Sequence, residues 1–229
     1  EAVRLVMREP HWRTAVGIGA FSGLAGFAYG LARVARLLDD DDLGSCAADV
    51  VAVLRSSIAA QTDVSFVDGL AGVVAAMLAI HRELNLDGAA DAARAAADRL
   101  VALAAAGDGP RGGGFGTGVA GVRWSLWRQA EETGDRSFAA AAVNLHEDPS
   151  SPPHGPGWAD GWAGALAGIL AGSLAGSLAG SLAGGSPGPH PGRCLRELRR
   201  SASCGGSCGA RRSARCRSPS ATCCRSRSA

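Results

Sequence analysis

The sequence predicts an all-α protein, and three observations carry that expectation. A Gly-x-x-Gly step recurs four times, as Ser22-Gly23-Leu24-Ala25-Gly26, Asp68-Gly69-Leu70-Ala71-Gly72, Thr117-Gly118-Val119-Ala120-Gly121 and Asp160-Gly161-Trp162-Ala163-Gly164. The first glycines lie 46, 49 and 43 residues apart, the length of a helix, a turn, a second helix and a return, so one supersecondary unit is reused. Apolar residues then follow each step at helical spacing, and no segment alternates with a period of two over a useful length.

Taken in order, the first unit sets Leu24, Phe27, Ala28, Leu31, Val34, Ala35 and Leu38 on one helical face, and the second sets Leu70, Val73, Val74, Met77, Leu78 and Leu84. Ser22, Asp68, Thr117 and Asp160 precede the first glycines. Their side-chain oxygens are expected to cap the helices that begin there. Partner helices with a wetter face are expected at about 45 to 60, at about 88 to 106 behind Asp87, and at about 135 to 146 behind Asp135. Residues 107 to 118 and 149 to 157 read as loops from their Gly and Pro content. Eight glycines, Gly23, Gly26, Gly69, Gly72, Gly118, Gly121, Gly161 and Gly164, stand in opening helical turns. Each costs about 1 kcal/mol in a helix interior, so a close backbone approach or a bound substrate is expected there.

The 229 residues are 47% hydrophobic, 19% charged and only 5% aromatic, enough for one core of small, closely packed side chains. All 23 basic residues are arginine. Residues 1–185 carry 13 of them against 20 acidic residues, net −7, whereas 186–229 carry 10 against one, net +9. We therefore expect two regions, a helical body over 1–185 and a disordered Arg/Ser/Cys-rich tail over 186–229. A body whose sole cysteine is Cys46, with no secretory leader in the sequence given, suggests the cytoplasm. The missing initiator Met suggests a fragment.

From Gly164 a Leu-Ala-Gly-Ser period sets in, and 161–184 are uncharged. That length admits a membrane span with small-x-x-x-small spacing, although its Gly and Ser content argues against insertion. In the tail, Cys204-x3-Cys208 with Cys216, Cys223 and Cys224 matches no standard zinc spacing. The tail arginines have no interleaved aromatics for stacking on bases, so no specific nucleic acid partner is expected. His81, His146 and His154 read as surface or loop residues, and Trp124, Trp127 and Trp158 as core or cleft lining.

The segments Gly19-Ala20-Phe21-Ser22-Gly23-Leu24-Ala25-Gly26-Phe27, Asp63-Val64-Ser65-Phe66-Val67-Asp68-Gly69-Leu70-Ala71-Gly72 and Gly114-Phe115-Gly116-Thr117-Gly118-Val119-Ala120-Gly121, with Thr133-Gly134-Asp135 downstream, resemble the lanthionine synthetase C-like family. The resemblance is nearest to the cyclase domain of class II lanthipeptide synthetases and covers about residues 1 to 170. It implies an α/α toroid of helical hairpins, here partial, and a zinc ion held by two cysteines and a histidine. It also implies a precursor-peptide substrate whose cysteine thiol adds to a dehydroalanine or dehydrobutyrine to close a thioether ring. An unrelated toroid or solenoid of helical hairpins is the competing reading.

Several positions depart from that pattern. Trp158-Ala159-Asp160-Gly161 stands where the family has its first zinc cysteine, so Ala159 replaces the ligand, and the sequence contains no Cys-His pair for the others. The family's histidine position falls on Thr117, and its acidic position falls on Ser65, flanked by Asp63 and Asp68. Asp63 and Asp68 are the remaining candidates for catalytic carboxylates, with Asp68 also a candidate helix cap. No metal ligand, and hence no cofactor, is expected in this chain. The expected function is a degenerate lanthionine cyclase, with a peptide-binding helical scaffold or a Gly-rich membrane-anchored helical protein as alternatives. The change of composition after the Leu-Ala-Gly-Ser run suggests a shifted reading frame from roughly codon 165.

Overall fold

The structure, a computed structural model, describes residues 17–146, 155–168 and 170. The chain divides into Glu1–Ser181 and Leu182–Ala229, and every described residue belongs to the first unit. The expected domain boundary at 185/186, the tail, its cysteines and the reading-frame expectation lie outside the described residues.

Among the described residues six α-helices alternate between two layers: α1 (Leu24–Leu38), α2 (Asp41–Ser57), α3 (Leu70–Leu84), α4 (Asp87–Ala105), α5 (Val119–Thr133) and α6 (Arg136–Asn144). A 3-10 turn, Ile58–Ala60, extends α2, and residues 162–168 open a further helix. Each odd helix packs on the even helix that follows it, giving three hairpins. The odd helices also pack side by side in the order α1, α3, α5, and the even ones in the order α2, α4, α6. No strand occurs among the described residues. The chain is all-α, as the periodicity predicts.

Between the layers lies a core of alanine, valine and leucine. Ala89, Ala92, Ala93, Ala96 and Ala97 on α4 are fully buried, and their small side chains let this helix lie close against α3. The buried stripe of α1 is Leu24, Ala25, Ala28, Leu31, Ala32 and Ala35. Val34 and Leu38, expected in the core, are 42% and 67% exposed. Helical spacing places residues on a face but does not say where the neighbouring helix stops, and among the described odd helices α1 has a neighbour, α3, on one side only.

The odd helices share one length and one ending. Each has 15 residues and stops at a left-handed residue sixteen positions after its first glycine: Asp39 (φ 53°), Asn85 (φ 53°) and Gly134 (φ 74°). Asp and Asn are the side chains other than Gly that visit this region most readily. The even helices start differently from expectation. Asp40 caps α2 by accepting from the Leu43 N–H at 3.0 Å, so α2 begins at Asp41 and not near 45. Asp87 is the first residue of α4 and not its cap, where its charge favours the positive end of the helix dipole. Asp135 caps α6 as expected, accepting from the Ser137 N–H at 3.1 Å.

One segment among the described residues, Asp41–Ala60, is long and apolar enough to cross a membrane by length and composition. It is the outer helix of the first hairpin and buries Ala47, Val50, Val51 and Leu54. Of the expected candidate span, 161–184, only the opening part is described.

Candidate functional site

Four seven-residue loops, each ending on a first glycine, lie side by side at the N-terminal end of the odd helices. Each folds back so that the carbonyl seven residues upstream accepts the first helical N–H: Gly17 from Leu24 at 2.8 Å, Asp63 from Leu70 at 2.9 Å, Gly112 from Val119 at 2.6 Å and Gly155 from Trp162 at 3.0 Å. The helix starts are thus satisfied by backbone. Gly23, Gly69 and Gly118 are the N-cap residues of α1, α3 and α5, and no side chain caps any of them. The expectation that Ser22, Asp68, Thr117 and Asp160 cap the odd helices is therefore corrected for the three helices with described caps. The orphan N–H groups that would attract a side-chain oxygen already have carbonyl partners.

Freed from capping, these residues join one loop to the next. The Ser22 hydroxyl donates to the Asp68 carboxylate, and the Thr117 hydroxyl donates to the Asp160 carboxylate. Backbone bonds run the same way: Phe21 N–H to Val67 O at 3.1 Å, Phe66 N–H to Gly116 O at 2.8 Å and Gly116 N–H to Ala159 O at 2.7 Å. The order Ser, Asp, Thr, Asp alternates donor and acceptor along the repeats. That alternation was the sequence signal for the pairing.

The eight glycines have a structural use at this end. A side chain on Gly26, Gly72, Gly121 or Gly164 would collide with the carbonyl of Ala20, Phe66, Phe115 or Trp158, six residues upstream in each case. One on Gly23, Gly69, Gly118 or Gly161 would strike backbone of the same loop. Gly116 sits between loops, where a Cβ would lie 2.9 Å from Ala159 Cβ and 3.1 Å from Val67 Cγ2. The close approach is between parts of this chain.

Sequence reasoning placed Asp63 and Asp68 about a catalytic position at Ser65. Ser65 is 8% exposed, and its hydroxyl accepts from the Asp68 N–H at 3.1 Å. Asp63 Oδ1 accepts from the Ser65 N–H at 2.8 Å. Both carboxylates are exposed; that of Asp63 shapes the second loop, whereas that of Asp68 is taken up by Ser22 of the first. Thr117 is exposed beside Asp160, with Ala159 half-buried against Gly116.

Beneath and between the loops is an aromatic cluster that the sequence reading did not assemble. Phe66 lies 4.8 Å from Phe115, 5.7 Å from Trp124 and 6.2 Å from Trp158, centroid to centroid. Trp158 is 4.6 Å from Phe115 and 6.4 Å from Phe21. Three of these rings, Phe66, Phe115 and Trp158, precede their repeat's first glycine by three residues. Phe115 is buried, whereas Phe21 and Trp158 are 68% and 44% exposed. The cluster passes from core to surface. Of the histidines, His81 is half-buried with Nδ1 3.1 Å from Leu86 O, His146 is exposed, and His154 lies outside the described residues.

The zinc implied by the resemblance needs soft donors converging on one point. At this end the described side chains offer hydroxyl and carboxylate oxygens, the position that the resemblance matches to the first zinc cysteine holds the methyl group of Ala159, and Thr117 donates to Asp160. Among the described residues no group of three or more His, Cys, Asp or Glu is placed to hold a metal ion. These residues do not fit the family's zinc.

No curated protein matches the chain. The family model described as lanthionine synthetase C-like protein matches residues 6–166, which include every described helix up to α6 and the four glycine steps. The hairpin order, the glycine-packed loops and this match agree, and the chain belongs to the lanthionine synthetase C-like family.

Proposed function

We propose that this chain is a degenerate lanthionine cyclase, one that handles a peptide at the loop end of its odd helices and does not supply zinc-assisted thiol activation there. Family membership supports a cyclase-like function at the level of the family. The observation that carries the finer reading is Ala159. It stands at the family's cysteine position with its carbonyl engaged by Gly116 and its methyl against the same glycine. A methyl group cannot coordinate, and a neighbouring Asp160 bonded by Thr117 is a poor soft-metal ligand.

Without metal activation a substrate cysteine keeps a thiol pKa of about 8.5, so little thiolate exists at neutral pH. Ring closure would then proceed as in solution. The S–H proton leaves, the sulfur bonds to the β-carbon of the dehydroamino acid as its double bond breaks, and the α-carbon takes up a proton. The exposed rings of Phe21 and Trp158 still offer apolar contact to a peptide.

The test is to incubate the chain with a dehydrated, cysteine-containing precursor peptide and zinc. The expected result is peptide binding detected by tryptophan fluorescence, with thioether formation at the uncatalysed rate by mass spectrometry after thiol alkylation. Zinc-dependent ring closure well above that rate would overturn the reading.

A further inference from the structure

The loop end carries charge of one sign. Within residues 17–23, 63–69, 112–118 and 155–161 the charged side chains are Asp63, Asp68 and Asp160, with no arginine or histidine. All three carboxylates are exposed. Asp68 and Asp160 accept from hydroxyls, which fixes their position and leaves their negative charge in place. The ion pairs of the described residues lie elsewhere, between Arg33 and Glu83, Arg82 and Glu132, Arg94 and Asp135, and along or between helices.

Beside these carboxylates are the two most exposed rings of the aromatic cluster, Phe21 and Trp158, with centroids 6.4 Å apart. A ring face attracts a cation, and more strongly where water is partly excluded. Two arginines of this chain already use rings in that way, Arg128 at 5.9 Å from the centroid of Trp124, a half-buried ring of the same cluster, and Arg94 at 5.5 Å from Phe138. At the two outer rings, Phe21 and Trp158, and at the carboxylates beside them, no described cation is in contact.

We propose that this face receives a cationic stretch of a peptide, with a lysine or arginine head on the Phe21 and Trp158 rings and its charge met by Asp68 and Asp160. The proposal rests on the reading that this end handles a peptide, and adds the chemical class. Such a surface selects by charge, so binding is steep in salt.

The experiment titrates the full chain with three end-blocked peptides of equal length, alternating alanine with lysine, glutamine or glutamate, and follows binding by calorimetry at low and raised salt. The lysine peptide is expected to bind about tenfold tighter than the glutamine peptide at low salt, and the glutamate peptide more weakly still. In the double variant Asp68→Asn with Asp160→Asn the lysine advantage over glutamine falls to about twofold or less. These substitutions keep a hydroxyl acceptor, so a retained melting temperature shows that the fold is intact.

Equal binding of lysine and glutamine peptides overturns the charge proposal and leaves the peptide-handling reading standing. Binding of none of the three, nor of the dehydrated precursor, overturns both. Should the lysine peptide bind only after the arginines beyond residue 186 are changed to serine, the face belongs to the chain's own C-terminal segment, and a partner peptide is overturned.

Discussion

The two ends of the odd helices are joined to their neighbours by different physics. At the loop end, backbone N–H groups of one repeat bond carbonyls of the next and glycines allow main chains to touch. At the other end the joints are exposed ion pairs repeated one unit apart, Arg33 to Glu83 between α1 and α3 and Arg82 to Glu132 between α3 and α5. Buried backbone contacts tolerate almost no displacement, whereas exposed long side chains reorient and exchange with water. The register of the hairpins is therefore set at the loop end, and the ion pairs follow it.

Breaking the loop end should cost most. Gly121→Ala drives a methyl into the Phe115 carbonyl and against Phe66 Cβ, and we expect a loss of about 2 to 4 kcal/mol in urea unfolding. The matching change at the far end, Arg82→Ala, removes an exposed pair and should cost at most about 1 kcal/mol. If the two losses proved equal, the contrast between the ends would fail.

Between these ends α5 carries an anomaly. Gln129 is 1% exposed, and neither its side-chain nitrogen nor its oxygen has a hydrogen-bond partner. Ser125, one turn earlier, donates to Ala71 O at 2.8 Å and ties α5 to α3. Replacing an unpaired buried amide by an apolar group of similar size removes its desolvation penalty, so Gln129→Leu should stabilise the chain by about 1 to 3 kcal/mol. Ser125→Ala should destabilise it by about 1 kcal/mol or somewhat more. Urea unfolding of both variants checks the opposite signs.

The smallest effect sharpens the outer layer. Hydrogen bonds from the Ser137 hydroxyl and backbone, with help from Arg94, hold the Asp135 carboxyl below its ordinary range. A depressed carboxylate stabilises the fold above its unfolded pKa and loses that contribution as pH falls through the folded value. The chain should therefore lose this small contribution on acidification below the usual aspartate range, and Asp135→Asn should flatten that part of the stability profile. An unchanged profile would place the cap's contribution elsewhere.

How much of this was legible depends on which interactions are local. The starts of α1, α3 and α5 fall one residue after Gly23, Gly69 and Gly118, because a tight loop that feeds its own carbonyl to a helix start is written within seven residues. The role of Ser22 and Thr117 was misread because a local rule, side-chain capping, was applied to groups whose partners lie 46 and 43 residues away. The aromatic cluster escaped for the same reason, since Phe21, Phe66 and Trp158 meet only after three hairpins have stacked. Val34 and Leu38 were placed in the core because periodicity describes one helix and burial describes its neighbours. At the candidate site Thr117 and Ala159 are single positions inside a repeated motif, and their reading as departures comes from the resemblance and not from the fold.

Whether the loop end lacks the family's metal site, as proposed, is decided by metal content. The full chain, with cysteines 194, 204, 208, 216, 223 and 224 changed to serine, is loaded with zinc, passed through gel filtration and assayed for zinc per chain. The expected content is well under one zinc per chain. One zinc per chain, lost on changing Asp160 or Thr117, would overturn the proposed absence of a metal site at this end.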